Sequence, residues 1–225
     1  MQKKETIQSV LNTYKNCITY CDSGNVKYVD FYDNGDVISE DEENFETEYI
    51  KPKHFYFKRK NKFDDKQYII KANEEKVLVK WFMIEGNEGS GEVESLSSAI
   101  ISEPNGIAQI IAALLFPNDK QYKQKLLGSS TIEFFDDCII NGIDCFCFKT
   151  KYLGDLMTFW VDKSNLTIQK IYSKIPFENS HDNYLMESLE SEMTNDEFSE
   201  IASVLNSSGY TEKTILFNKV IIKGE

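Results

Sequence analysis

Histidine, proline and glycine are scarce in this chain: two, four and eleven residues respectively out of 225. No apolar run approaches the ~20 residues that a membrane-spanning helix needs. There is no proline-rich or glycine-rich linker, no internal repeat and no low-complexity tract. One domain over residues 1–225 is therefore the simplest account. Positive charge is also short, with 25 Lys and Arg against 37 Asp and Glu, a net charge of −12. Nucleic acid needs cations to neutralise its phosphates, and an anionic lipid surface needs a basic patch. The composition argues against both as partners. The start, MQKKETIQSVLNTY, has no apolar core segment and no small-residue cleavage site, and reads as lacking a signal peptide.

No catalytic constellation stands out either. The loop from Gly86 to Gly91 does not match a phosphate-binding GxGxxG and leads into acidic residues. The histidines are His54 and His181. With Cys145 and Cys147 they would offer a CxC rather than the CxxC of structural zinc, so no metal site is expected. A cysteine nucleophile needs a base or a helix N-terminus beside it, and Cys138, Cys145 and Cys147 look strand-borne. Adjacent carboxylates such as Asp64-Asp65 and Asp136-Asp137 cannot share one site from a strand, where neighbours face opposite ways. The expectation is a protein that is not an enzyme and takes no cofactor. Five cysteines, with Cys17 and Cys21 completing the set, are no small disulfide framework. Counting from the turn at Asn141-Gly142, Cys138 faces Cys145 in a hydrogen-bonded pair, where a bridge would be strained. The thiols are read as free and used as small apolar residues.

What is present is strand signal. Aromatics are 13% of the chain, and Tyr and Phe far outnumber Trp, which favours sheets. Thr131 to Ile175 reads as two consecutive hairpins. The first turns at Asn141-Gly142, since a type I′ turn needs positive φ at both central residues. The second turns at Asp162 to Asn165. Ile7, Val10, Leu11 and Tyr14 have the spacing of an amphipathic helix ending near Asn16. ITYCDSGNVKYVDFY follows as a strand with a bulge at Gly24-Asn25. A turn at Asp33 to Asp36 is widened by the acidic run Glu40 to Glu43, read as solvated loop. FETEYI and HFYFKRK are strands separated by Pro52. QYII and KVLVKWFMI form another hairpin, and Gly86 to Gly91 reads as a flexible loop. His181 to Leu205 reads as two short helices, an insertion over about 181–206. TEKTILFNKVIIK closes the chain as a strand or broken hairpin.

The segment SLSSAIISEPNGIAQIIAALLFP reads as a short helix followed by a second one from Ile107 to Phe116, stopped by Pro117. The second helix has almost no polar face and so belongs inside the protein. Helix and hairpins together predict an α+β class. The expected architecture is a curved antiparallel sheet forming an incomplete, half-open β-barrel, with a helical plug or lid and an N-terminal amphipathic helix. Trp81, Phe82, Phe134, Phe135, Phe146, Phe148, Phe159 and Trp160 lie on predicted strands. Two readings stay open. The aromatics pack a sheet covered by helices and loops, or they line an apolar concavity able to admit an acyl chain or a partner's apolar side chains.

The order of these pieces resembles the LolA/LolB-like superfamily of bacterial lipoprotein carriers and related cell-envelope proteins. The pieces are TYCDSGNVKYV, YIKPKHFYF, YIIKANEEKVLVKW, IAQIIAALLF, NGIDCFCFK and LMTFWVDKSNLTIQKI, covering about Thr6 to Ile175. The resemblance implies an incomplete antiparallel barrel with a helical lid over an apolar cavity. It also implies a periplasmic or cell-envelope location if a leader was removed. Lys51 stands where the best-matched carriers have arginine, and the 181–206 insertion departs from the family pattern.

Two functions are expected from these features. The first is non-enzymatic binding or carriage of a hydrophobic small molecule, lipid or lipidated protein. Ile107, Ile110, Ile111, Leu114 and Leu115 would then form the lid, and Trp81, Phe134, Phe148 and Phe159 the walls. The second is a filled-core envelope scaffold or sensor that binds a protein partner through its surface or a sheet edge.

Overall fold

The computed structural model describes residues 3–52, 54–63, 66–82, 88–116, 132–152, 154–177 and 209–224. It opens with helix α1 (Lys3–Lys15), followed by strands β1 (Cys17–Tyr32), β2 (Val37–Ile50), β3 (His54–Asn61), β4 (Gln67–Ala72), β5 (Val77–Phe82) and β6 (Glu88–Val93). Two helices come next, α2 (Leu96–Ile101) and α3 (Ile107–Leu115). The chain continues with β7 (Glu133–Phe134), β8 (Cys138–Ile140), β9 (Ile143–Tyr152), β10 (Asp155–Asp162), β11 (Ile168–Pro176) and β12 (Gly209–Gly224). The two helices expected between His181 and Leu205 fall outside the described residues.

All twelve strands belong to one antiparallel sheet, in the order β6-β5-β4-β3-β2-β1-β12-β11-β10-β9-β7, with β8 paired to β9. The sheet is two meanders joined at its centre. β1 and β12 pair from Cys17 opposite Gly224 to Tyr32 opposite Gly209, so the two ends of the described chain hold the halves together. The segment read as a strand or broken hairpin is thus one 16-residue strand. The expected bulge sits beside Gly24, where the β1–β12 register shifts. A Cβ there would meet the Leu216 carbonyl oxygen at 2.1 Å and the Phe45 ring at 2.7 Å. Asn141 and Gly142 have φ of 50° and 81°, as the hairpin turn requires.

The class differs from expectation. The protein is mainly β rather than α+β, and the sheet does not close into a barrel. Its end strands, β6 and β7, are not paired to each other. Two segments expected to be loop are strand instead. The acidic run Glu40 to Glu43 is part of β2, not of a loop. Charges along it meet cations from neighbouring segments: Lys27 of β1 lies 2.6 Å from Glu40, and Lys62, in the bend just past β3, lies 2.7 Å from Glu42. Opposite charges across a ladder remove the repulsion that a single strand would feel. The glycine-rich stretch is partly β6, whose register against β5 carries it as an edge strand.

The helices pack on the sheet's apolar face. Ile7, Val10 and Tyr14 of α1 are buried, and the Tyr14 hydroxyl accepts a 2.8 Å hydrogen bond from the Ile168 amide. Tyr68 of β4 reaches α2, its hydroxyl 3.2 Å from the Ala99 carbonyl. Enclosed among these elements, α3 buries Ile107, Ala108, Ile110, Ile111, Ala112, Ala113, Leu114 and Leu115.

Candidate ligand-binding face

Register alone aligns a row of side chains across the sheet. Phe134, Phe148, Phe159, Ile171, Ile215, Val26 and Glu43 stand opposite one another on successive strands. Paired residues share a face, so six apolar residues and then a glutamate point the same way. The Phe148 and Phe159 rings stack at 5.2 Å between centroids, and Phe134 lies 5.7 Å from Phe148. Beyond the end of α3, Phe116 meets Tyr49 edge-on at 5.2 Å.

Of the residues expected to form lid and walls, Ile107, Ile110, Ile111, Leu114, Leu115, Phe148 and Phe159 come together in one buried core. Phe134 packs against that core and is half-buried. Trp81 lies in β5 opposite Tyr68, where the description stops at the backbone. Five large aliphatic side chains on α3 are worth roughly 1.5–3 kcal/mol each in burial, on the order of 10 kcal/mol together. Helix α3 therefore cannot leave its seat for water. Only an apolar replacement of comparable area could displace it.

The start of α3 is held by a polar network that the sequence reading missed. Glu103 lies in the α2–α3 connection with its side chain wholly out of solvent. Its carboxylate accepts hydrogen bonds from the amides of Asn105 (3.0 Å) and Ala108 (3.2 Å). A negative charge here also complements the N-terminus of α3. Arg59 of β3 places Nε 3.2 Å from Glu103 and pairs through Nη1 with Glu43 of β2. Glu43 also accepts from the Asn105 side-chain amide at 2.7 Å. Lys213 of β12 donates to the Asn105 carbonyl and lies 5.6 Å from the centre of the Tyr28 ring. Burial pulls the Lys213 ammonium down to about 8, against the opposing pull of Glu103 and Glu43. Burial pushes the Tyr28 phenol well up, and the two glutamates add to the effect. A signal existed in the sequence: a lone glutamate between two apolar helices must find a cation if it is buried.

Beside this network is a cavity of about 620 Å³. Asp41, Glu43, Arg59 and Asn61 line one part of it, and Tyr68, Val79, Val93 and Pro104 line another. Its described lining does not include the lid and wall residues expected from the sequence. The volume lies within the ~300–1,000 Å³ range of small-molecule sites, and the mixed lining suits an amphiphile. Lys51 is an exposed turn residue whose amide donates to the Ile18 carbonyl at 2.8 Å. Among the described residues no group of His, Cys, Asp and Glu could hold a metal ion, and no helix is long and apolar enough to cross a membrane.

No protein-family model matches the chain, and no curated protein does. A search of solved structures finds a likeness to a crystal structure described as an outer membrane lipoprotein-sorting protein domain from Vibrio parahaemolyticus. It covers 97% of this chain and 91% of that one, at 6% identity and a TM-score of 0.34. Agreement this loose transfers neither fold nor function.

Proposed function

We propose that the chain is a non-enzymatic binding protein for a hydrophobic ligand: a lipid, a free acyl chain or the acyl group of a lipidated protein. The supporting observation is the 620 Å³ cavity with one polar and one apolar wall, next to a sheet face occupied by a helix that is apolar except at Gln109. A headgroup meets Asp41, Asn61 and Arg59 while the start of the chain lies on Val79, Val93 and Tyr68. Longer chains replace α3 along the aromatic row. Each buried CH₂ is worth ~0.8 kcal/mol, so about twelve offset the loss of the α3 contacts. Following the resemblance in motif order, the compartment proposed is the periplasm or cell envelope.

Native mass spectrometry of protein purified from cells, with lipid extraction, tests this reading. So does titration with a fluorescent fatty acid over a series of chain lengths. Binding that tightens with chain length, and is lost in a folded Val93→Asp variant, supports it. Absence of both co-purifying lipid and fatty-acid binding overturns it.

A second reading, a filled-core scaffold that binds a protein, draws on a different observation. α3 already fills the face, and Ile139 at the β8 edge is 72% exposed. Edge strands offer unpaired backbone to a partner strand. Fatty-acid insensitivity together with capture of a strand-forming peptide at that edge favours this reading.

A further inference from the structure

On the sheet face opposite Phe148 and Phe159, three thiols converge. Cys138 stands opposite Cys145 across the β8–β9 pair, and Cys147 is two residues further along β9. Residues two apart on a strand share a face, so all three side chains point the same way. The directly opposed partner is not the close one. Cys145 Sγ turns towards the Ile143 carbonyl at 3.5 Å, whereas Cys138 Sγ lies 3.1 Å from Cys147 Sγ. A further ~1 Å of approach reaches the ~2.05 Å of a disulfide. All five cysteines are free thiols in the structure, and Cys138 is the more exposed of the close pair.

We propose that Cys138 and Cys147 are an oxidisable pair that closes to a disulfide linking the edge strand β8 diagonally to β9. The oxidant is a low-molecular-weight disulfide such as oxidised glutathione. The Cys138 thiolate attacks one of its sulfurs, forming a mixed disulfide and releasing one glutathione. The Cys147 sulfur, losing its proton, then attacks Cys138 Sγ and expels the second glutathione. Two protein thiols are oxidised, one small disulfide is reduced, and the two protons end on the glutathione thiols. The order follows from exposure, because the small disulfide reaches Cys138 first and the buried Cys147 resolves it. Burial, and next the hydrogen bond with Cys138, push the Cys147 thiol up to about 12, so it rests as the protonated thiol and is not the first to react with the oxidant. The pair lies away from the lid face, so this inference does not depend on the proposed ligand.

The test treats the folded, reduced protein with oxidised glutathione, quenches it in acid with N-ethylmaleimide, and maps peptides without reduction. The expected product joins Cys138 to Cys147, with Cys17, Cys21 and Cys145 alkylated. Cys145→Ser gives the same link, and Cys147→Ser stops at glutathione on Cys138. A link between Cys138 and Cys145, five alkylated thiols, or wild-type protein arrested at the mixed disulfide overturns the proposal. The wild-type map decides it even if a variant fails to fold.

Discussion

Replacing Glu103 by alanine tests the polar network directly. Three interactions end at this carboxylate: the amides of Asn105 and Ala108, and Arg59 Nε. Two backbone donors at the start of a buried helix lose their acceptor, and an unsatisfied buried donor costs about 1–3 kcal/mol. Arg59 keeps Glu43, so it is weakened rather than stranded. Against this, the substitution also removes the desolvation penalty of Glu103 itself, which for a buried ion is several kcal/mol. Removing one partner of a buried ion pair costs about 3–5 kcal/mol net of the desolvation it relieves, and the lower end, about 3 kcal/mol, applies here because Arg59 retains Glu43. For a chain of this size that lowers the melting temperature by roughly 6–12 °C. Glu103→Gln retains an acceptor and should lose about half as much. Urea titration followed by circular dichroism measures both, with the dependence on urea unchanged if the unfolded state is unaffected. A Glu103→Ala protein within about 1 kcal/mol of wild type would refute the view that this carboxylate anchors α3.

Three other outcomes follow from the same structure. Asp22 is buried with its carboxylate on the Tyr20 hydroxyl, and burial raises it from 3.8 to about 7. Between those pH values the folded state binds the proton more tightly than the unfolded state, so stability falls as pH rises from about 4 to 7. Asp22→Asn should then stabilise by up to about 4 kcal/mol at pH 8 and change little near pH 3, as thermal melts at both pH values would show. Gly24→Ala should cost about 2–4 kcal/mol, because its Cβ meets the Leu216 carbonyl and the Phe45 ring; a neutral result in urea titration would refute the close approach. Leu114 is completely buried, so Leu114→Asp should abolish the cooperative melt rather than leave a folded protein that fails to take up ligand. A folded Leu114→Asp protein would show that α3 swings out readily.

Local signals were read well wherever they were strong. Asn141-Gly142 placed the hairpin, Ile7 to Tyr14 placed α1, and the apolar run from Ile107 placed α3, because each rests on backbone preferences within a few residues. The Gly24 bulge was legible for the same reason. The run Glu40 to Glu43 was misread because its order depends on Lys27 of β1 and on Lys62 just past the end of β3, both distant in sequence. Glu103 itself carried a signal, but its partners Arg59, Glu43 and Lys213 were not legible in sequence because they arrive from three different strands. The thiol pair was half-legible: the register of Cys138 with Cys145 was read correctly, while the approach of Cys138 to Cys147 depends on side-chain rotation.

By itself the sequence determined which segments could be helix and strand, and that one short helix had to be hidden from water, since those are properties of local geometry and hydropathy. Only tertiary structure decided that the described strands form one open sheet, and that β12 sits between β1 and β11. It also decided which charges are buried together. Pairing partners and the fate of a buried charge are set by what arrives from far along the chain, and no local preference encodes that arrival.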